Sequence, residues 1–154
     1  MREGLIQGRD FEDFELGTRY ISKGRTITEA DLVNFAGISG DFNPLHMDEQ
    51  YAKTTIFGRR ICHGVLGVAL MTGLNQSLGI TEGTMHAFLG LEWDFLRPLF
   101  IGDTIHLELE VITVRESKKP DRGIVVFACD LINQHGEIVQ QGTRKMLMKR
   151  RTPQ

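Results

Sequence analysis

The feature that most constrains the fold is a run of residues from Gly64 to Leu78 whose first half is apolar almost all the way round. Val65, Leu66, Val68, Ala69, Leu70 and Met71 leave no continuous polar face, the pattern of a buried helix rather than a surface one. The longest apolar run, Ile61 to Met71, is interrupted by His63 and is too short to span a bilayer. Gly79 is a natural C-terminal stop. Gly67 and Gly73 read as places where a neighbouring backbone comes close. The rest of the chain must wrap this helix.

The wrapping is supplied downstream, where the period of hydrophobicity changes to two. Met85, Ala87, Leu89, Leu91, Trp93 and Phe95 fall on one face of a strand, a stripe best read as core that also suits an acyl tunnel. Phe42, Phe57 and Leu66 suit such a tunnel too. Ile105, Leu107, Leu109 and Val111 alternate with Thr104, His106, Glu108 and Glu110. Ile124 to Leu131 is apolar on both faces, as in a central strand. Ile138 to Met148 forms the last strand, after a turn at Gln134-His135-Gly136, and Ser117 to Gly123 forms the other hairpin loop. A weaker strand is expected around Thr18 to Ile27. Thr28 reads as a helix N-cap with Glu29 and Asp31 in the first turn. Leu32, Val33, Phe35 and Ala36 give that helix an apolar face, and Gly37 and Gly40 end it. A polar loop from Gly40 to His46 follows, and Asp48 caps a short turn through Ala52. The economical solution is α+β: an antiparallel sheet curled around one long helix, the hot-dog arrangement. An edge strand and a half-wrapped helix favour pairing of two copies into a continuous sheet.

At 154 residues the chain is read as one domain over its whole length, residues 1–154. Its 18 basic side chains nearly balance 20 acidic ones, so no global field suits nucleic acid or an anionic membrane. Lys149-Arg150-Arg151 is locally basic and reads as a solvated end. The two cysteines, Cys62 and Cys129, form no CxxC and no disulfide framework, which points to a reducing compartment. Met1 to Asp13 lacks the apolar core of a signal peptide. A cytoplasmic protein is the expectation.

The chemistry is concentrated in Gly40-Asp41-Phe42-Asn43-Pro44-Leu45-His46, which sets a carboxylate, a carboxamide and an imidazole within seven residues. Pro44 fixes its own φ and pushes Asn43 towards extended backbone, so the segment is stiff. A stiff segment can hold a carboxylate and an imidazole at a defined separation, a suitable pair for moving protons near neutral pH. The alternative is that Asp41 and Asn43 are turn formers and His46 a surface residue.

The stretch from Phe35 to Ala52, with Gly-Asp-x-Asn-Pro-aliphatic-His at its centre, resembles the signature of the MaoC-like hydratases at every constrained position. Cys62-His63-Gly64-Val65-Leu66 is similar to that family's His-Gly segment, and Phe95 to Asp103 to its strand-connecting segment. The resemblance implies reversible hydration of a trans-2-enoyl thioester to the (R)-3-hydroxyacyl product. It implies Asp41 and His46 as the catalytic pair holding one water, with Asn43 fixing the loop. The Gly64 backbone N–H, at the positive end of the helix, would meet the thioester oxygen, and a glycine lets the thioester approach. Thr72 is a weaker substrate-binding candidate: some bacterial members carry a serine at what corresponds to it, and the alternative is that its hydroxyl bonds back to a carbonyl one turn earlier. No cofactor is expected beyond CoA or an acyl-carrier pantetheine as part of the substrate. A homodimer is expected, since double-domain relatives exist.

Other chemistries fit less well. Cys62 and His63 are adjacent and do not face one another on a helix or strand, so a structural cysteine is the reading. Asp41, His46 and His63 lack a recognised metal-ligand spacing, and no metal is expected. The glycines form no phosphate-binding fingerprint. Two rival functions remain: a hot-dog thioesterase, which aims water at the carbonyl carbon, and a non-catalytic acyl-thioester-binding or partner subunit.

Overall fold

The computed structural model describes residues 7–151; the first part of the Met1–Asp13 segment lies outside them. A short 3-10 turn, Phe11–Asp13, precedes strands β1 (Arg19–Ile21) and β2 (Arg25–Thr26). Helices α1 (Glu29–Ser39), α2 (Pro44–Met47), α3 (Glu49–Lys53) and α4 (Gly64–Ser77) follow. Strands β3 (Met85–Phe95), β4 (Thr104–Glu116), β5 (Arg122–Ile132) and β6 (Ile138–Lys149) complete the chain. The sheet order is β1-β4-β5-β6-β3, with β2 also on β4, and every pairing is antiparallel. This is the α+β hot-dog arrangement expected from the sequence, and the weak strand near Thr18 is present as two short pieces.

Local signals place the helices as the sequence reads. Thr28 caps α1 through the Asp31 N–H while Asp31 reaches back to the Thr28 N–H, a reciprocal capping box, and Gly40 ends the helix at φ 74°. Asp48 caps α3 through the N–H groups of Gln50 and Tyr51. The segment read as a loop from Gly40 to His46 is half helical: Pro44 starts a full turn, capped by the Asn43 carboxamide.

α4 presents Leu66, Gly67, Leu70, Met71, Leu74 and Asn75 to the concave side of the sheet. Each buried Leu or Met there contributes roughly 1.5–3 kcal/mol relative to exposure. The inner faces of β4 and β5, through Leu107, Leu109, Val111, Val125, Phe127, Cys129 and Leu131, close the core beneath it.

α4 is wrapped on one face only, the half-wrapped helix expected from the sequence, with Val65 58% exposed and Ala69 and Thr72 also open. Three expectations are corrected. The β3 stripe joins the core only through Trp93, which packs against it half-buried. β3 is an edge strand interrupted by bulges near Ala87 and Leu89, and Met85, Phe88, Leu89, Leu91 and Phe95 are all exposed. Gly67 admits a side chain rather than a backbone: a Cβ there would overlap the buried Gln140 carboxamide, while nothing approaches Gly73 closely. The basic end is also not free, since Arg150 pairs with Glu12 and Glu116, and Arg151 with Asp10 and Asp13. Among the described residues no helix is long and apolar enough to cross a membrane.

Candidate active site

Asp41 sits between α1 and α2, and His46 on the turn that Pro44 initiates. The Asp41 Oδ2 and His46 Nε2 are 4.0 Å apart. That is too long for a direct hydrogen bond and suits one bridging water. The carboxylate is half exposed and the imidazole buried.

Each member is aimed by its neighbours. The Asp41 N–H donates to Ser39 Oγ at 3.1 Å, and Asp41 Oδ1 accepts from the Asn43 N–H at 3.2 Å. Asn43 Oδ1 in turn accepts from the Leu45 N–H at 3.0 Å, so the carboxamide fixes the turn that carries His46. His46 Nδ1 lies 2.7 Å from the Ile61 carbonyl oxygen. A carbonyl only accepts, so Nδ1 holds the proton, and in the neutral ring Nε2 carries the lone pair that faces Asp41.

Two residues that the motif does not contain complete this frame. His63 is 3% exposed, and its Nε2–H donates to the Asp41 backbone carbonyl at 2.8 Å. Its ring lies over that of His46, with centroids 3.9 Å apart and planes inclined by 30°. Arg60 reaches both oxygens of Glu29, Glu49 Oε2 at 2.9 Å and, more loosely, the His46 carbonyl at 3.4 Å. The bonds to Glu29 hold that carboxyl below the usual carboxylate range, and the same bonds raise the arginine's own pKa. Neither residue's role here was legible in the sequence, because their partners lie 11 to 31 positions away.

Asp41, His46 and His63 each offer a ligand atom within 4.8 Å of the others, a grouping that the spacing did not suggest. A metal sits in the plane of each imidazole it binds, whereas these two rings are stacked, so their nitrogens do not converge on one point. Burial raises the Cys62 thiol pKa to about 12, with the negative charges of Asp103 and Asp31 adding to the effect, which removes it as a nucleophile.

Gly64 begins α4 directly after His63, so its N–H belongs to the first turn, which has no acceptor within the helix. The space above its Cα is filled by the Phe95 ring: a Cβ there would lie 2.9 Å from two ring carbons. Gln140 Nε2–H donates to the Gly64 carbonyl at 3.1 Å, and Gln140 Oε1 accepts from Trp93 Nε1–H at 2.9 Å. Gly64, Phe57, Ile61, Phe95, Leu99 and Gln140 help line an open cavity of about 300 Å³. Thr72 lies apart from this group, on the open side of α4, and its hydroxyl donates back to the Ala69 carbonyl at 2.6 Å. It is exposed, not buried as a mid-helix position suggests.

The chain matches the MaoC like domain family over residues 13–128. It is 38% identical over 114 residues to an (R)-specific enoyl-CoA hydratase of Aeromonas caviae, covering 73% of this chain and 80% of that one. In structure it resembles a monoamine oxidase regulatory protein of Archaeoglobus fulgius, with a TM-score of 0.88, 34% identity and coverage of 96% and 97%. It also resembles a MaoC-like dehydratase of Rhodospirillum rubrum, with a TM-score of 0.82, 32% identity and coverage of 95% and 100%. With its hot-dog sheet and its match over most of the chain, the protein belongs to the MaoC-like dehydratase family of hydro-lyases.

Proposed function

We propose that the protein reversibly hydrates a trans-2-enoyl thioester to the (R)-3-hydroxyacyl thioester, with Asp41 and His46 as its acid/base pair. The observation that carries this is the 4.0 Å gap between Asp41 Oδ2 and His46 Nε2, with the imidazole fixed by the Ile61 carbonyl. One water held between them loses a proton to the pair as its oxygen attacks C3, and the pair returns a proton to C2 on the same face. Negative charge collects on the thioester oxygen in between. The Gly64 N–H at the start of α4 is the donor suited to receive it, once the Phe95 ring yields the space above the glycine. Thr72 has no part in this scheme.

The likeness to the Aeromonas caviae hydratase supports a CoA thioester. Beside the cavity at Gly64, a second one of about 430 Å³ shares Arg97 and Pro98 with it and adds Arg59. These cations suit the phosphates of CoA or of an acyl-carrier pantetheine. No further cofactor enters the scheme. The exposed apolar edge of β3, together with the open Val65 of α4, supports a homodimer joined along that edge. Sedimentation at micromolar concentration is expected to give twice the mass of the chain.

Turnover of crotonyl-CoA, followed by loss of enoyl-thioester absorbance, tests the reaction. Asp41→Ala and His46→Ala are each expected to lower kcat by about 10²–10⁴-fold with unchanged melting. Release of free CoA would indicate a thioesterase instead, and binding without turnover a non-catalytic subunit.

A further inference from the structure

Arg144 is 4% exposed, yet among the described residues it has no carboxylate partner, and its Nε and Nη1 make no hydrogen bond. Its guanidinium stands over the Phe88 ring, 5.0 Å from the centroid. The nearby Cys129 thiol stays neutral, because burial raises its pKa to about 12. Guanidinium stays charged under all ordinary conditions, and a π face alone does not replace its lost hydration. Burial also pulls the arginine's own pKa below its ordinary value. A fork of buried, unsatisfied donors is a receptor for a planar anion.

Its position on β6 says what that anion is attached to. Gln140, which bonds the Gly64 carbonyl, and Arg144 point to the same, helix-facing side of the strand. Gly142 lies between them, and a Cβ there would overlap the Glu92 carbonyl and crowd the Trp93 ring, so the indole lies across the strand at that point. The strand rise separates the Gln140 and Arg144 backbones by about 13 Å. Inward along β6 from the Gly64 end there is thus a polar anchor, an aromatic floor and a cation. The stripe of α4 that starts where Gly67 meets Gln140 leads away from that anchor through Met71 to Asn75. Asn75 is also buried, and its Oδ1 has no partner. A carboxamide can turn its N–H₂ end to an acceptor.

We propose that Arg144, assisted by Asn75, binds a carboxylate at the far end of the acyl group, so that the preferred substrates are thioesters of short dicarboxylic acids. This rests on the hydratase reading above for the location of the thioester. The apolar middle of such a chain crosses Trp93, and the terminal carboxylate supplies the acceptors that Arg144 lacks.

The test uses matched pairs: trans-glutaconyl-CoA against trans-pent-2-enoyl-CoA, and hex-2-enedioyl-CoA against trans-hex-2-enoyl-CoA. In wild type at least one acidic substrate should exceed its neutral partner in kcat/KM by about 10- to 100-fold. Arg144→Met should abolish or invert that ratio while raising the melting temperature of the free protein, because it removes a buried unpaired charge. Arg144→Lys should keep part of the ratio. Equal or better use of both neutral substrates overturns the proposal. So does an Arg144→Met variant that keeps the ratio, or one that dissociates and melts earlier, which would assign the missing carboxylate to a second copy of the chain. Binding of glutaryl-CoA against pentanoyl-CoA separates the two layers. Tighter glutaryl-CoA binding without hydration of any enoyl thioester sinks the hydratase reading and sustains the carboxylate site. Equal binding with hydration of crotonyl-CoA does the reverse.

Discussion

His63 shows why single positions differ in how well a sequence reveals them. Asp41, Asn43 and His46 were readable because they lie within one short stiff segment, where residue type and spacing carry the chemistry together. His63 stands beside Cys62 in the sequence, and what it does depends on a backbone carbonyl 22 positions earlier. Its N–H pins the main chain of Asp41 and its ring supports that of His46, so it acts through both. His63→Ala is expected to lower kcat by about 10- to 100-fold with little change in KM, since sub-ångström placement of the pair is lost rather than substrate contact. His63→Asn, which keeps an N–H donor, should recover part of kcat, whereas His63→Phe, which keeps only the stacking, should not. Steady-state kinetics of the three variants, with melting curves alongside, checks this. Equal kcat values for the Asn and Ala variants would reduce His63 to a packing residue. Asp41 and its bridging partner also explain why the Cys62 thiol is idle: the reactive groups face one another across a gap that the cysteine, held in the core, does not enter.

Helices and strands were legible to different depths. Caps and period gave α1, α3 and α4 almost to the residue, because Thr28, Asp48 and Gly79 act on their immediate neighbours. The turn at α2 was missed because a four-residue helix has no period to read, although Pro44 marks its first position. The surroundings of β3 are not legible for another reason. Alternation shows that one side of a strand is apolar, but not whether the same chain covers it, and bulges shift the stripe across the pleat. The contact of β3 with β6 depends on Gly142, whose missing side chain lets the Trp93 indole and the Glu92 carbonyl come in against the strand. Gly142→Ala places a methyl group against main-chain atoms that cannot swing aside. A loss of about 2–3 kcal/mol is expected, read as a melting temperature lowered by roughly 5–10 °C. The indole also holds Gln140, so kcat should fall in the same variant.

The whole molecule carries its two thiols on the inner side of the fold, each buried and each with its pKa raised to about 12 by that burial. In the unfolded chain they lose their protons near pH 9. Above that pH the unfolded state binds fewer protons than the folded one, so stability falls as pH rises from about 9 towards 12. Each thiol contributes about 1.4 kcal/mol per pH unit across that window. Urea midpoints at pH 8 and pH 10 should therefore diverge, and Cys129→Ala should remove about half of the thiol part of the difference. An unchanged pH response in that variant would show that Cys129 titrates normally when folded. The architecture as a whole was legible because an all-round apolar helix followed by a strand meander leaves few solutions. Which surfaces a second copy covers was not, since an edge strand and a core strand share one alphabet. A last consequence follows from the clamp between Asp41 and Gly64. His46 bonds to Ile61, His63 bonds back to Asp41, and Gly64 follows directly, so all the proposed chemistry occupies one contiguous insert held largely by its own hydrogen bonds. The sheet draws most of its stability from other residues. After gene duplication, one copy could therefore shed its reactivity by changes within that insert alone and persist as an inert scaffold for its sibling.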